Sequence, residues 1–146
     1  MKVSAHTSVY APDPGLWTAR LLIFIVFTLN ITCAIQFLGQ PSVFTPSFNL
    51  SGETGIIAIR SIGVLFLMWN VPYVIAILHP KKYFIALVSS VIMQGIGVLG
   101  ESWIYLQIHS LPFAKSSILR FIWFDAFGLI LLMAAFILIQ RRRLNG

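Results

Sequence analysis

The chain has 146 residues, of which 58% are hydrophobic and only 10% are charged, and its formal net charge is +6. A water-soluble domain of this length needs more charge to cover its surface, so the composition excludes an ordinary soluble enzyme and indicates an integral membrane protein. The ten basic residues form no stripe interleaved with aromatic residues, which argues against nucleic acid as a partner.

Four apolar segments follow one another along the chain, and each exceeds the roughly 20 residues that a helix needs to cross about 30 Å of hydrocarbon. Helix breakers separate these segments, and no internal repeat is visible. The sequence therefore predicts an all-α fold, in which residues 1–146 form a single membrane domain built as an antiparallel up-down four-helix bundle. The predicted spans are residues 16–38, 55–79, 83–108 and 117–140.

Local signals predict where the helices begin, turn and bend. Asp13 and Pro14 are typical of an N-cap followed by proline in the first helical turn. The His-Pro-Lys-Lys run at 79–82 predicts a tight turn that makes the second and third spans an antiparallel hairpin. Pro72 lies near the middle of the second span and lacks a backbone donor, so it predicts a kink there.

The distribution of basic residues predicts the orientation in the membrane. With both termini in the cytoplasm, seven basic residues lie on the cytoplasmic side and three on the other, as the positive-inside rule favours. We therefore expect both termini to lie in the cytoplasm. The first group is Lys2, Arg20, Lys81, Lys82, Arg141, Arg142 and Arg143, and the second is Arg60, Lys115 and Arg120.

Three charged residues lie within apolar segments: Arg60, Glu101 and Asp125. A charge at the centre of a span costs about 2.5–3.5 kcal/mol on insertion scales, so such side chains usually face a protein interior and find partners there. Each acid is two residues from a tryptophan of the predicted outer interface, and Arg60 enters from the same side. We expect the three to form a buried cluster near the outer face, because a guanidinium can pair with one carboxylate or bridge two.

Uncharged polar residues extend this predicted site. Gln94 shares a helix face with Glu101, and Asn30 supplies an amide from the first span. Trp69 and Asn70 flank the predicted kink, where they could line a cavity or simply pack. The predicted site contains no catalytic or metal-ligating residue and consists of Arg60, Glu101, Asp125, Asn70, Gln94, Asn30 and Trp69.

These residues are compatible with several functions. The cluster could be structural and fix helix register, or it could form a pocket for a lipophilic molecule with a polar head. Two carboxyls share one guanidinium, so one of them could instead act as the general acid of an enzyme that acts on a quinone or lipid head group, with Arg60 holding an anion. A proton or ion conduit, formed mainly by an oligomer, is a further class.

The runs IRSIGVLFLMWNVPY, MQGIGVLGES and FIWFDAFGLILL, together with the four spans and the short hairpin, resemble small bacterial DoxX-like membrane proteins. The resemblance implies a compact up-down bundle in a bacterial inner membrane, often an accessory to a membrane oxidoreductase. The positions to which it extends are Arg60, Glu101 and Asp125, because these residues lie in the three runs. We expect a non-catalytic accessory or lipophilic-ligand-binding protein. Its expected partners are membrane lipid and either further copies of the chain or a larger membrane complex, and a quinone or lipid is the candidate bound molecule.

Overall fold

The computed structural model describes residues 14–144, so the predicted N-cap Asp13 lies outside the described residues. These residues contain helices, turns and bends but no strand, which confirms the predicted all-α class. The α-helices are α1 Pro14–Gly39, α2 Pro41–Phe44, α3 Gly52–Trp69, α4 Val71–Leu78, α5 Phe84–Gln107 and α6 Pro112–Leu144, with a 3₁₀-helix at Thr45–Phe48.

Four helical segments are long and apolar enough to cross a membrane, and α3 and α4 together make the second of them. The largest difference from the prediction is in α6, which begins at Pro112 rather than near residue 117. Proline is well suited to the first turn of a helix, where its missing N–H has no intrahelical partner in any case. The helix therefore starts at the residue that the sequence suggested as a breaker.

The four spans pack as a ring of neighbours, because α1 contacts α3, α4 and α6, while α5 contacts α4 and α6. This is the up-down bundle that the sequence predicts. We call the end that carries residues 40–51 and 108–111 the loop end, and the end that carries the turn 79–83 the hairpin end. Many large apolar side chains are exposed on the outside of the bundle, as expected for a surface in contact with lipid.

The apolar core is concentrated in the half of the bundle nearer the hairpin end. Its fully buried members include Ile23, Leu87, Leu132 and Ile139, with Tyr73 at its boundary towards the loop end. At the hairpin end, the Arg20 side chain donates a hydrogen bond to the Ile77 carbonyl at 2.8 Å, which ties α1 to the last turn of α4. The half nearer the loop end has room for polar side chains.

The second span bends where Pro72 predicts a kink. Its helix ends at Trp69 and restarts at Val71, and the Asn70 side chain donates a 2.7 Å hydrogen bond to the Phe66 carbonyl. Beyond this break α4 packs on both α1 and α5, whereas α3 packs on α1 and makes little contact with α5. The kink therefore opens a cleft between α3 and α5 in the half of the bundle nearer the loop end.

The segment between α1 and α3 folds back over the loop end. Its 3₁₀-helix packs against α6, and Asn49 ends this helix with a positive φ of 55°. Phe37 and Phe44 meet edge to face with centroids 4.7 Å apart, and Phe48 lies 5.9 Å from Phe121. These aromatic contacts hold the segment against the bundle.

Candidate functional site: a carboxyl-lined cleft

A cavity of about 160 Å³ lies at the floor of the cleft, and all four spans contribute to its wall. This volume corresponds to roughly five water molecules at about 30 Å³ each, or to one small ring. Glu101 and Gly97 are six and ten residues from the end of α5, so these two lining residues lie about 9 and about 15 Å below that end. The lining residues are Asn30, Phe66, Trp69, Gly97, Glu101 and Asp125.

A chain of hydrogen bonds across three spans positions Asp125. The Tyr73 hydroxyl donates to Gln94 Oε1 at 2.6 Å, and Gln94 Nε2 donates to Asp125 Oδ1 at 2.8 Å. Tyr73 and Gln94 are both buried, with 0% and 1% of their surfaces exposed. Since buried polar groups are costly without partners, the three side chains hold one another in a fixed arrangement.

Two glycines make room for these polar side chains. A Cβ atom on Gly97 would collide with the Asp125 carboxylate, so this carboxylate lies directly against the backbone of α5. A Cβ atom on Gly128 would lie 2.7 Å from Gln94 Nε2. The close approach of α5 and α6 and the position of their polar groups therefore depend on glycine at both positions.

Two buried atoms of lining residues have no hydrogen-bond partner among the described residues: Asn30 Nδ2, a donor, and Glu101 Oε2. The Asn30 and Trp69 side chains also approach the Tyr73 hydroxyl, although Asn30 Nδ2 completes no hydrogen bond there. Unpaired buried polar atoms are rare in folded proteins, so a site that contains two of them requires an explanation.

The expected cluster of three buried charges is not what the structure shows. Glu101 and Asp125 are half-buried, and Arg60 is exposed on α3. The buried positions of the second span near the loop end are Gly55, Ile59, Gly63 and Asn70, and at 100° per residue they centre roughly a quarter turn away from Arg60.

Arg60 also lies at a different depth from the cavity, because it precedes the cavity-lining Trp69 by about 2.5 helical turns. The remaining half turn places the two side chains on opposite faces of α3. Arg60 therefore lies at the edge of the helix stripe that contains the buried Gly63 and Asn70, and its own position is exposed.

The other six predicted site residues gather at or beside the cavity. Asn30, Trp69, Glu101 and Asp125 line it, Gln94 is bonded to Asp125, and Asn70 is buried at the kink. The prediction omitted Tyr73 and Phe66. Tyr73 could have been found from the sequence, because it is four residues after Trp69 and so lies on the same helix face.

The ionisable groups in the wall of the cavity are all acidic. The Glu101 and Asp125 carboxyls interact electrostatically with each other, and none of the described residues that line the cavity is basic. Such a site disfavours a phosphate or carboxylate group and favours a group that donates hydrogen bonds to carboxyl oxygens. The rings of Phe66 and Trp69 add apolar walls.

No protein-family model matches the chain, and no curated protein and no solved structure shows detectable similarity to it. Its function is therefore argued from the geometry and chemistry of this cleft, since a bundle fold by itself does not determine function.

Proposed function

We propose that this integral membrane protein is a non-catalytic binding protein, and that the cleft between α3 and α5 holds the polar head group of a lipophilic molecule. The observation that carries the proposal is the pair of unpartnered atoms, Asn30 Nδ2 and Glu101 Oε2, at one carboxyl-lined cavity. The proposal needs no catalytic residue, because binding alone would satisfy both atoms.

A hydroxyl group complements this pair of atoms. It accepts a hydrogen bond from an amide nitrogen and donates one to a carboxyl oxygen, so a single group can serve Asn30 and Glu101 together. The aromatic walls formed by Phe66 and Trp69 suit a flat ring. The hydroxylated ring of a quinol, at the end of an apolar tail, combines both features.

The cleft also offers a path for the tail. Because α3 makes little contact with α5, the gap between these helices could connect the cavity with the acyl-chain region of the membrane. A ligand dissolved in the membrane could enter sideways with its head group leading, as in other sites that lie between helices of a bundle.

We extend the proposal to location and assembly. Six basic residues among those described lie at the hairpin end, which supports a cytoplasmic hairpin end in a bacterial inner membrane: Arg20, Lys81, Lys82, Arg141, Arg142 and Arg143. The cleft then opens towards the outer leaflet. As the DoxX-like resemblance implies, the protein would be an accessory of a larger membrane complex, and that complex would supply or receive the bound molecule.

Two other functions receive less support. The hydrogen-bonded chain from Asp125 continues past Tyr73 only to the carbonyl of the buried Ser90, at 3.5 Å. The fully buried residues nearer the hairpin end include Ile23, Leu87 and Ile139, so a proton path would lack polar side chains there. An enzyme that uses Arg60 as its anion holder would need that residue near the acids. Arg60 instead lies on the exposed face of α3.

The proposal is tested by measuring the binding of decylubiquinol to the purified protein in a neutral detergent, with quenching of tryptophan fluorescence as the signal. We expect saturable binding, weakened about tenfold by Glu101→Gln, which replaces a carboxyl oxygen of the cavity wall with an amide group. Glu53→Gln is the matched control, because it makes the same change from carboxyl to amide at an exposed position in the first turn of α3.

Saturable binding that Glu53→Gln leaves unchanged and Glu101→Gln weakens would support the proposal. Absence of saturable binding, or equal weakening by both substitutions, would contradict it. Dodecylamine provides a second arm, because its ammonium group is also a hydrogen-bond donor and it carries no phosphate. Tighter binding of this amine than of decylubiquinol would support a donor group in the cleft and contradict the hydroxylated ring.

A further inference from the structure

A second site lies at the loop end, away from the carboxyl-lined cleft. Two adjoining cavities, of about 590 and 260 Å³, lie between α6 and the segment that joins α1 to α3. They share the lining residues Ser47, Ser117 and Arg120, so they form one continuous site with Arg120 where the two cavities meet.

The larger cavity has a mixed wall, in which polar side chains alternate with apolar ones such as Leu50 and Phe113. Besides the three shared residues, its wall includes Asn49, Ser51 and Ser116. Arg120 Nη2 donates a 3.1 Å hydrogen bond to the Oγ atom of the buried Ser117, which directs the guanidinium along the wall. A guanidinium has five N–H donors, so this bond to an uncharged acceptor leaves most of its capacity for another group.

The smaller cavity is mainly aromatic. Its wall includes Phe44, Phe48 and Phe121, together with the exposed Val43. Phe37 lies under this wall, 4.7 Å from Phe44 and 6.0 Å from Phe121 between ring centroids, so the rings support one another. The wall is a preformed apolar surface directly beside a positive charge.

The charged group of this site is basic, whereas the ionisable groups of the cleft are acidic. Among the described residues that line the two cavities, none is acidic. Arg120 also precedes the exposed Trp123 by about one helical turn, on the side towards the loop end. Exposed tryptophans favour the boundary between hydrocarbon and head groups, so this position suits an interaction of Arg120 with lipid phosphates.

The geometry points to a site for one phosphate-bearing amphiphile, whose phosphate pairs with Arg120 and whose apolar chain lies on the Phe44–Phe48–Phe121 wall. Arginine holds phosphate through parallel N–H donors, and the serine hydroxyls beside it can add further hydrogen bonds. This inference is independent of the ligand proposed for the cleft, because a cavity lined by two carboxyls would repel phosphate.

The test uses the full chain in a neutral detergent, with binding measured by calorimetry for three probes. Dihexanoylphosphatidic acid carries both the phosphate and the chains, dihexanoylglycerol lacks the phosphate, and inorganic phosphate lacks the chains. We expect saturable one-to-one binding of the first probe, at least about tenfold tighter than either of the others.

Arg120→Gln should weaken the binding of dihexanoylphosphatidic acid by about tenfold or more, and Arg120→Lys should weaken it less because the charge remains. The matched control is Lys115→Gln, which removes a cation from the same helix that lies over the Tyr105 ring and lines neither cavity. This control should bind like the unaltered chain.

Several results would overturn the inference. Equal binding of inorganic phosphate would show an anion site without a role for the aromatic wall, and equal binding of dihexanoylglycerol would show no role for the phosphate. Full affinity in Arg120→Lys and a loss in Lys115→Gln would show attraction by general surface charge. If Arg120→Gln fails to fold, the comparison of Arg120→Lys with Lys115→Gln decides the question.

Discussion

The Tyr73 hydroxyl donates its hydrogen bond to Gln94 Oε1 over 2.6 Å, and this contact determines which way the Gln94 amide faces. With its oxygen engaged by Tyr73, the amide must present its nitrogen to Asp125. A residue next to the kink in the second span thus orients a carboxyl on the fourth. The kink and the acid are parts of one arrangement.

Tyr73→Phe should lower the stability of the bundle, because it leaves Gln94 Oε1 buried without a donor. The expected loss is about 1–3 kcal/mol in the free energy of unfolding, measured by denaturant titration in detergent micelles. The control is Tyr83→Phe, since the Tyr83 ring carries a contact from Lys82 and its hydroxyl has no bond within residues 14–144. Equal losses in both variants would contradict a specific role for the Tyr73 bond.

Gly97→Ala should displace the Asp125 carboxylate, because the new methyl group would occupy its position against α5. We expect a destabilisation of about 1–3 kcal/mol, typical of overpacking, together with weaker binding of decylubiquinol. Gly95→Ala and Gly100→Ala are matched controls on the same helix, because a Cβ atom at either position meets nothing within 4 Å. In these controls the better helix propensity of alanine should raise stability by up to about 1 kcal/mol.

Arg60→Gln should leave decylubiquinol binding unchanged within about twofold, because Arg60 lies outside the cavity wall and on the far face of α3 from Trp69. Asp125→Ala should weaken the same binding by about tenfold or more, since it removes a wall carboxyl and leaves Gln94 Nε2 without its acceptor. A large loss of binding in Arg60→Gln would restore the three-charge cluster that the sequence suggested.

Pro72→Ala should narrow the cleft, because it restores the N–H that proline lacks and allows one continuous helix through residue 70. The change can be measured between spin labels at Leu65 of α3 and Leu99 of α5, which are both exposed, after Cys33 is replaced by serine. We expect a shorter distance and weaker ligand binding. Val71→Ala, an exposed neighbour that leaves the proline in place, should change neither.

Much of the fold could be predicted because span length, proline position and composition act locally. The four spans and the kink at Pro72 follow from hydropathy and from a missing N–H, and neither depends on tertiary contacts. The approach of Glu101 to Asp125 was also predictable, since each is two residues from a tryptophan expected at one interface and both have glycines nearby. These inferences require only the depth and the approximate face of each helix.

The parts that could not be predicted depend on helix rotations smaller than the angle between successive residues and on packing between segments distant in the sequence. Arg60 lies at the margin of the stripe that it shares with Gly63, and a rotation of a few tens of degrees decides whether it faces helix or lipid. The site at Arg120 arises because the segment 41–48 folds back on α6, and no periodic signal in that segment predicts this contact.

The uneven distribution of the apolar core makes the half of the bundle nearer the hairpin end more tightly packed than the half nearer the loop end. Side chains such as Leu87 and Leu132 fill the first half, while the region around Glu101 and Asp125 is held by a few hydrogen bonds and contains empty volume. The second half can therefore open locally while the first stays packed, which would let a ligand enter and leave without unfolding the bundle. Amide exchange should accordingly be slowest in α4 and in the first turns of α5.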